Sequence, residues 1–163
     1  MLAVLVIAGT AFFALCLKGT NQVLEITDSV SGKIYDRWPL EDGGTFAIEF
    51  IHSVNNSPVR ETFIAKEDEI HLQGLRFYSF GAGIPVPDEH QLTYDGDAMI
   101  ITGFTASFRE LNYIVGTVSD HLLFVNDEIV SLRDLCGFNA QITIRLRQEK
   151  INDCRKRFNS GRN

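Results

Sequence analysis

The chain has few of the residues from which metal, redox or nucleotide chemistry is usually built. Three cysteines in 163 residues are too few for a disulfide framework, and none is spaced as a metal-binding cluster. Cys16 lies in an apolar leader, so Cys136 and Cys154 form a pair only if the domain sits in an oxidising compartment; Cys136 equally suits a small buried hydrophobe. The four histidines, His52, His71, His90 and His121, show no His-x-His or His-x-x-x-His spacing, so neither a metal site nor a cofactor is expected. There is no Gly-x-Ser-x-Gly elbow. Positive charge is also scarce: 15 basic against 21 acidic residues give a net charge of -6, which argues against a nucleic-acid partner. No segment after Lys18 keeps helical periodicity for three turns, and there is no repeat or linker that would divide the chain into two domains.

A long apolar run is present at the N-terminus. Residues 1–17 are apolar apart from Thr10 and end at Lys18, and as a helix they rise about 25 Å, at the short end of what spans a bilayer. The run lacks a basic n-region and a small-x-small cleavage site, and Leu15 before Cys16 is wrong for a lipoprotein. The expectation is an uncleaved anchor over residues 1–18, with a buried core segment as the alternative. Lys18 alone cannot set its orientation. At the other end, seven of the 15 basic residues fall within 145–163, and residues 148–163 read as a basic tail. Such a tail is either a solvated end or a segment drawn to anionic lipid.

Between them, over residues 22–147, short strand signals alternate with turn residues. Strands are expected at 22–27, 33–38, 45–52, 58–66, 69–80, 91–94, 98–102, 113–118, 121–125, 128–131 and 141–146. Ser31-Gly32, residues 41–44, residues 95–97 and Asn126-Asp127 supply turns, the last a two-residue hairpin signal. Residues 104–111 suit one short helix or an irregular loop. Many short strands with Gly-rich turns predict an all-β fold, an antiparallel sandwich or barrel-like domain behind an N-terminal membrane-anchor helix.

The most informative stretch is 45–85. Phe46, Ile48, Phe50 and His52 share one face of a strand, and Val59, Glu61, Phe63 and Ala65 share one face of the next. With a loop over 53–57, Glu61 would lie across from Glu49 and His52 across from Pro58; a one-residue slip would turn the apolar set to the other face. In the in-phase registers His52 and Glu61 are offset neighbours on the inward face, close enough to interact only if the sheet twists them together. Such a pair is either structural or the floor of a recess, with backbone amides of residues 81–87 as its lip. Ser53 points away from His52, which disfavours a hydrolase. Arg60 and Arg76 could clamp a carboxylate, although Arg60 faces outward beside Glu61 and reads as a surface residue. Trp38 reads as the seal of a core edge.

In Gly44, His52-Ser53-Val54, Pro58-Val59, Glu61, Phe63 and Gly81-Ala82-Gly83 followed by Pro85, the chain resembles a bacterial domain-of-unknown-function family often encoded beside TRAP transporters of the TAXI type. The resemblance implies a small extracytoplasmic or membrane-anchored accessory to solute uptake with no catalytic residues to carry over. The expected location is the bacterial cytoplasmic membrane, and the expected partners are TRAP transporter subunits or their solute-binding protein. His52, Ser53, Glu61, Gly81, Ala82, Gly83 and Pro85 are the candidate binding residues. The alternatives are a small-molecule enzyme using the His/Glu recess and a structural envelope module.

Overall fold

Residues 22–53, 56–78 and 90–149 are described by the structure, a computed structural model. Within them the alternating segments become strands β1 (Gln22–Asp28), β2 (Ile34–Pro39), β3 (Thr45–His52), β4 (Ser57–Lys66), β5 (Glu69–Phe77), β6 (Gln91–Asp95), β7 (Ala98–Thr102), β8 (Ser107–Phe108), β9 (Glu110–Ile114), β10 (His121–Val125), β11 (Glu128–Ser131) and β12 (Gln141–Gln148). The remaining element is a single helical turn, α1 (Leu132–Cys136). Its cap is Ser131, whose side chain accepts the Asp134 amide at 3.0 Å.

The strands form two antiparallel sheets. The smaller has the order β2-β1-β12-β9; the larger has β11-β10-β3-β4-β5-β7-β6, with β8 paired to β5. One continuous core joins them: Leu24, Ile26, Ile142 and Ile144 of the small sheet pack with Phe46, Ile48, Phe63 and Leu123 of the large one. The architecture is therefore an all-β sandwich rather than a closed barrel. Each fully buried leucine or isoleucine contributes about 1.5–3 kcal/mol, so this layer is the main source of stability. Trp38 is buried in it and donates Nε1 to Glu128 at 3.1 Å, sealing the core edge as the sequence predicts.

Beyond the small sheet's edge strand β9, the large sheet continues. There Val59, Phe77, Met99 and Ile101 form a second buried cluster, with Phe50 packed against both clusters. Glu61 sits on β4 between Val59 of the second cluster and Phe63 of the first, at the seam between the two clusters.

Several expectations change in detail. Residues 104–111 hold no helix: Ser107 and Phe108 pair with His71 and Ile70 of β5, and β9 begins at Glu110. The β3–β4 register differs by one residue from the expected one, with Ile48 opposite Glu61, Glu49 opposite Arg60 and His52 opposite Ser57. Opposed residues of an antiparallel pair share a face, so this register, unlike the expected one, puts Phe46, Ile48 and Phe50 on the same side as Phe63, Glu61 and Val59. Asn126 and Asp127 both have positive φ, 48° and 63°, as the tight β10–β11 turn requires. Among the described residues no helix is long and apolar enough to cross a membrane. The expected anchor at 1–18, residues 81–85, Cys154 and nearly all of the basic tail lie outside the described residues.

Candidate functional site

The inward face of β4 brings Glu61 to the seam, and Tyr113 reaches it from the opposite sheet. Leu111 and Tyr113 alternate onto the inner face of β9, where they stand across from Ile144 and Ile142 of β12. From there the Tyr113 hydroxyl donates to Glu61 Oε2 at 2.6 Å, a short bond of the charge-assisted kind. Burial pushes the Glu61 carboxyl up, and the phenol's donated proton opposes part of that rise. Tyr113 is raised strongly, first by burial and then by the Glu61 charge and hydrogen bond.

His121 completes the group. It opens β10 opposite Phe50 and stacks on that ring with centroids 5.2 Å apart, while its edge faces Tyr113 at 6.0 Å. The Gly116 amide donates to His121 Nδ1 at 3.3 Å, which places the ring proton of the neutral imidazole on Nε2. Burial pushes the His121 pKa down; Asp120 opposes this, and Arg133 adds to it. Asp120 is itself held by the Ser131 hydroxyl and the Arg133 amide, so the loop before β10 is anchored to the start of α1. Gly116 has no room for a side chain, because a Cβ there would collide with the Ser119 carbonyl.

The arrangement offers a carboxyl whose pKa burial raises, a phenol that donates to it and an imidazole with a donor nitrogen, all half-buried at the sandwich seam. It can exchange hydrogen bonds with a polar group and accept or release a proton. Among the described residues no group of three His, Cys, Asp or Glu side chains is arranged to hold a metal.

Of the residues singled out in the sequence, the structure brings Glu61, but not His52, into this group. His52 is half-buried at the far end of β3, four positions from Ile48 opposite Glu61, and that spacing corresponds to about 13 Å along a strand. The offset pairing of His52 with Glu61 is replaced by the pairing of Glu61 with Tyr113. Ser53 is exposed in the turn after β3. Gly81, Ala82, Gly83 and Pro85 fall outside the described residues. Arg60 does face outward and bonds to Glu49 at 2.9 Å. Cys136 is a half-buried thiol packed against the core, its pKa pushed up to about 11 by burial. Tyr113 and His121 are the members of the group that the sequence does not single out. Their alternation with Leu111 and with Leu123 and Val125 is visible in the sequence, but nothing there says that β9 lies in the sheet opposite Glu61 and β10 in the sheet of Glu61 itself.

Residues 46–132, more than half of the chain, match the family model described as Domain of unknown function (DUF1850). The chain belongs to this family. No curated protein and no solved structure is significantly similar to it. The DUF1850 span runs from Phe46 on β3 to Leu132 at the start of α1. It contains nearly all of the large sheet together with His52, Glu61, Tyr113 and His121, whereas β1, β2 and β12 of the small sheet lie outside it. Gly44, just before the span, has a structural role: a Cβ there would lie 2.7 Å from the Glu41 carbonyl that its own amide bonds.

Proposed function

We propose that this DUF1850 domain is a membrane-anchored, extracytoplasmic binding module that assists TRAP-type solute uptake by docking a transporter subunit or its solute-binding protein. The observation that carries this reading is the polarity of the sandwich. Gln22, the first residue of β1, pairs with Gln148, the last of β12, so the apolar leader and the basic tail depart from adjacent positions. Gln22 also bonds the Glu67 carbonyl and Gln148 the Asp68 carboxylate, which puts both departures beside the β4–β5 turn. The β3–β4 turn with His52 and Ser53 is at the other end of β4, ten residues or about 30 Å away. An anchor in residues 1–18 would therefore hold one end of the sandwich at the bilayer and present His52, Ser53 and the nearby seam to a partner. The Gly81-Ala82-Gly83 and Pro85 stretch, whose glycines let backbone amides approach a ligand, is proposed as the lip of the same docking region.

The test is affinity capture of the tagged full-length protein from native membranes, beside His52→Ala and a variant lacking residues 1–18. Recovery of a TRAP subunit or solute-binding protein, reduced about tenfold by His52→Ala with the fold intact, is the expected result. The truncated variant should leave the membrane fraction. Capture that is indifferent to His52, or that yields no transport component, would overturn the docking role, and retention of the truncated variant in the membrane would overturn the anchor.

A further inference from the structure

The outer face of the large sheet carries a second constellation, separate from Glu61 and Tyr113. Arg60 on β4 and Arg76 on β5 stand directly opposite each other in the ladder. Like charges opposed on one sheet face repel, so this pairing is unfavourable unless anions lie close by. Two carboxylates do: Arg60 Nε donates to Glu49 at 2.9 Å, and one terminal nitrogen of Arg76 donates to Asp95 at 2.7 Å. Among the described residues, no hydrogen-bond acceptor meets either terminal nitrogen of Arg60. Aromatic rings position both guanidinium groups, Arg60 4.0 Å from the centroid of Phe124 and Arg76 5.8 Å from that of Tyr78.

Concave surface lies on both sides of Arg60. Glu49, Pro58, Arg60, Arg76 and Tyr78 line a recess of about 240 Å³. On the other side Arg60 borders a wider recess of about 630 Å³ whose lining includes Ala47, Thr62, Phe124 and Ile129. Ile129 is 65% exposed there, a large apolar side chain with little cover.

We propose that this face binds a small organic monocarboxylate with an apolar tail. The carboxylate lies between Arg60 and Arg76, taking the open edge of the Arg60 fork, and the tail rests on Phe124 and Ile129. A planar carboxylate matches a guanidinium fork in bidentate geometry. Glu49 and Asp95 bring the net charge of the arginine pair and its partners near zero, which disfavours a phosphate dianion and leaves a monoanion whose affinity comes partly from apolar contact.

The full-length protein would be titrated calorimetrically with 3-methylbutanoate, using acetate, inorganic phosphate and 3-methylbutan-1-ol as comparisons. Saturable binding of 3-methylbutanoate is expected, weakened about tenfold or more in Arg60→Gln and in Arg76→Gln, as loss of a charge-assisted hydrogen bond implies. Arg60→Lys, which keeps the charge and loses the fork, should fall between the native protein and Arg60→Gln, and it guards against misreading a folding defect. Ile129→Ser should weaken 3-methylbutanoate and leave acetate unchanged. Absence of saturable carboxylate binding, equal binding by the Arg60→Gln/Arg76→Gln double variant, or phosphate or the alcohol binding as tightly as the acid would each overturn the proposal.

Discussion

At the scale of single residues, Glu61 is the group whose environment most departs from that of its neighbours. It is a carboxyl on a strand face otherwise made of Val59, Phe63 and Ala65, with Tyr113 as its hydrogen-bond partner. Because its folded-state pKa lies above the ordinary value of 4.5, the folded protein holds the proton more tightly than the unfolded chain. Its contribution to stability is thus fully present below pH 4.5 and is lost as pH rises through the folded pKa. Glu61→Gln removes the ionisation and keeps a polar group for Tyr113. Urea unfolding of this variant should be as stable as the native protein near pH 4 and equally or more stable at pH 7. Tyr113→Phe leaves the carboxyl without its donor and should cost about 1–3 kcal/mol at pH 7, less near pH 4. Equal losses at both pH values would remove ionisation of Glu61 from the account.

At the scale of elements, the β10–β11 hairpin and the turn before β3 show how locally the chain writes its own connections. Asn126 and Asp127 adopt the left-handed backbone that a two-residue hairpin demands, and the Asn126 side chain also donates to the Pro39 carbonyl. Substituting both by alanine should destabilise by about 1–2 kcal/mol, because alanine pays a penalty at positive φ and cannot replace the bond to Pro39; chemical denaturation measures it, and an unchanged midpoint would refute it. That hairpin was readable because both determinants are adjacent in the chain. The loop over 53–57 does not settle the β3–β4 register, since loop length alone leaves a one-residue choice. The inward sets Phe46, Ile48, Phe50 and Val59, Glu61, Phe63 decide it, because burial requires both to face the same core. Helix α1 was too short to leave a periodic signal, although the capping serine Ser131 stands three residues before Asp134.

At the scale of the whole molecule, the outer face of the small sheet has its own electrostatic centre. Glu25 is almost fully buried on that face, bonded by Arg37 at 2.7 and 2.6 Å and by Arg145 at 3.0 and 2.9 Å, with Arg147 at 3.5 Å. Burial by itself would raise its pKa, but hydrogen bonds and charges from Arg37 and Arg145 outweigh this and hold it below the ordinary carboxylate value. That contribution is present above pH 4.5 and is lost as pH falls through the folded pKa. His121, whose pKa is lowered, acts in the same direction from pH 6.5 downward, whereas Glu61 acts in the opposite one. Unfolding midpoints at pH 7 and pH 4 should therefore converge in a Glu25→Gln/His121→Phe variant relative to the native protein; an unchanged difference would show that other groups govern acid stability. Arg145 and Arg147 belong by sequence to the basic C-terminal cluster, yet they are strand residues of β12 committed to Glu25. The sequence by itself determined the all-β class, the main turns and which side chains of each strand face inward, because these depend on local backbone preference and period-two alternation. Only the tertiary structure decided that Tyr113 rather than His52 meets Glu61, that Arg60 stands opposite Arg76, and that the start of β1 and the end of β12 lie beside one turn. Those contacts join residues tens of positions apart, and sheet order and register set them, neither of which alternation within a single strand encodes.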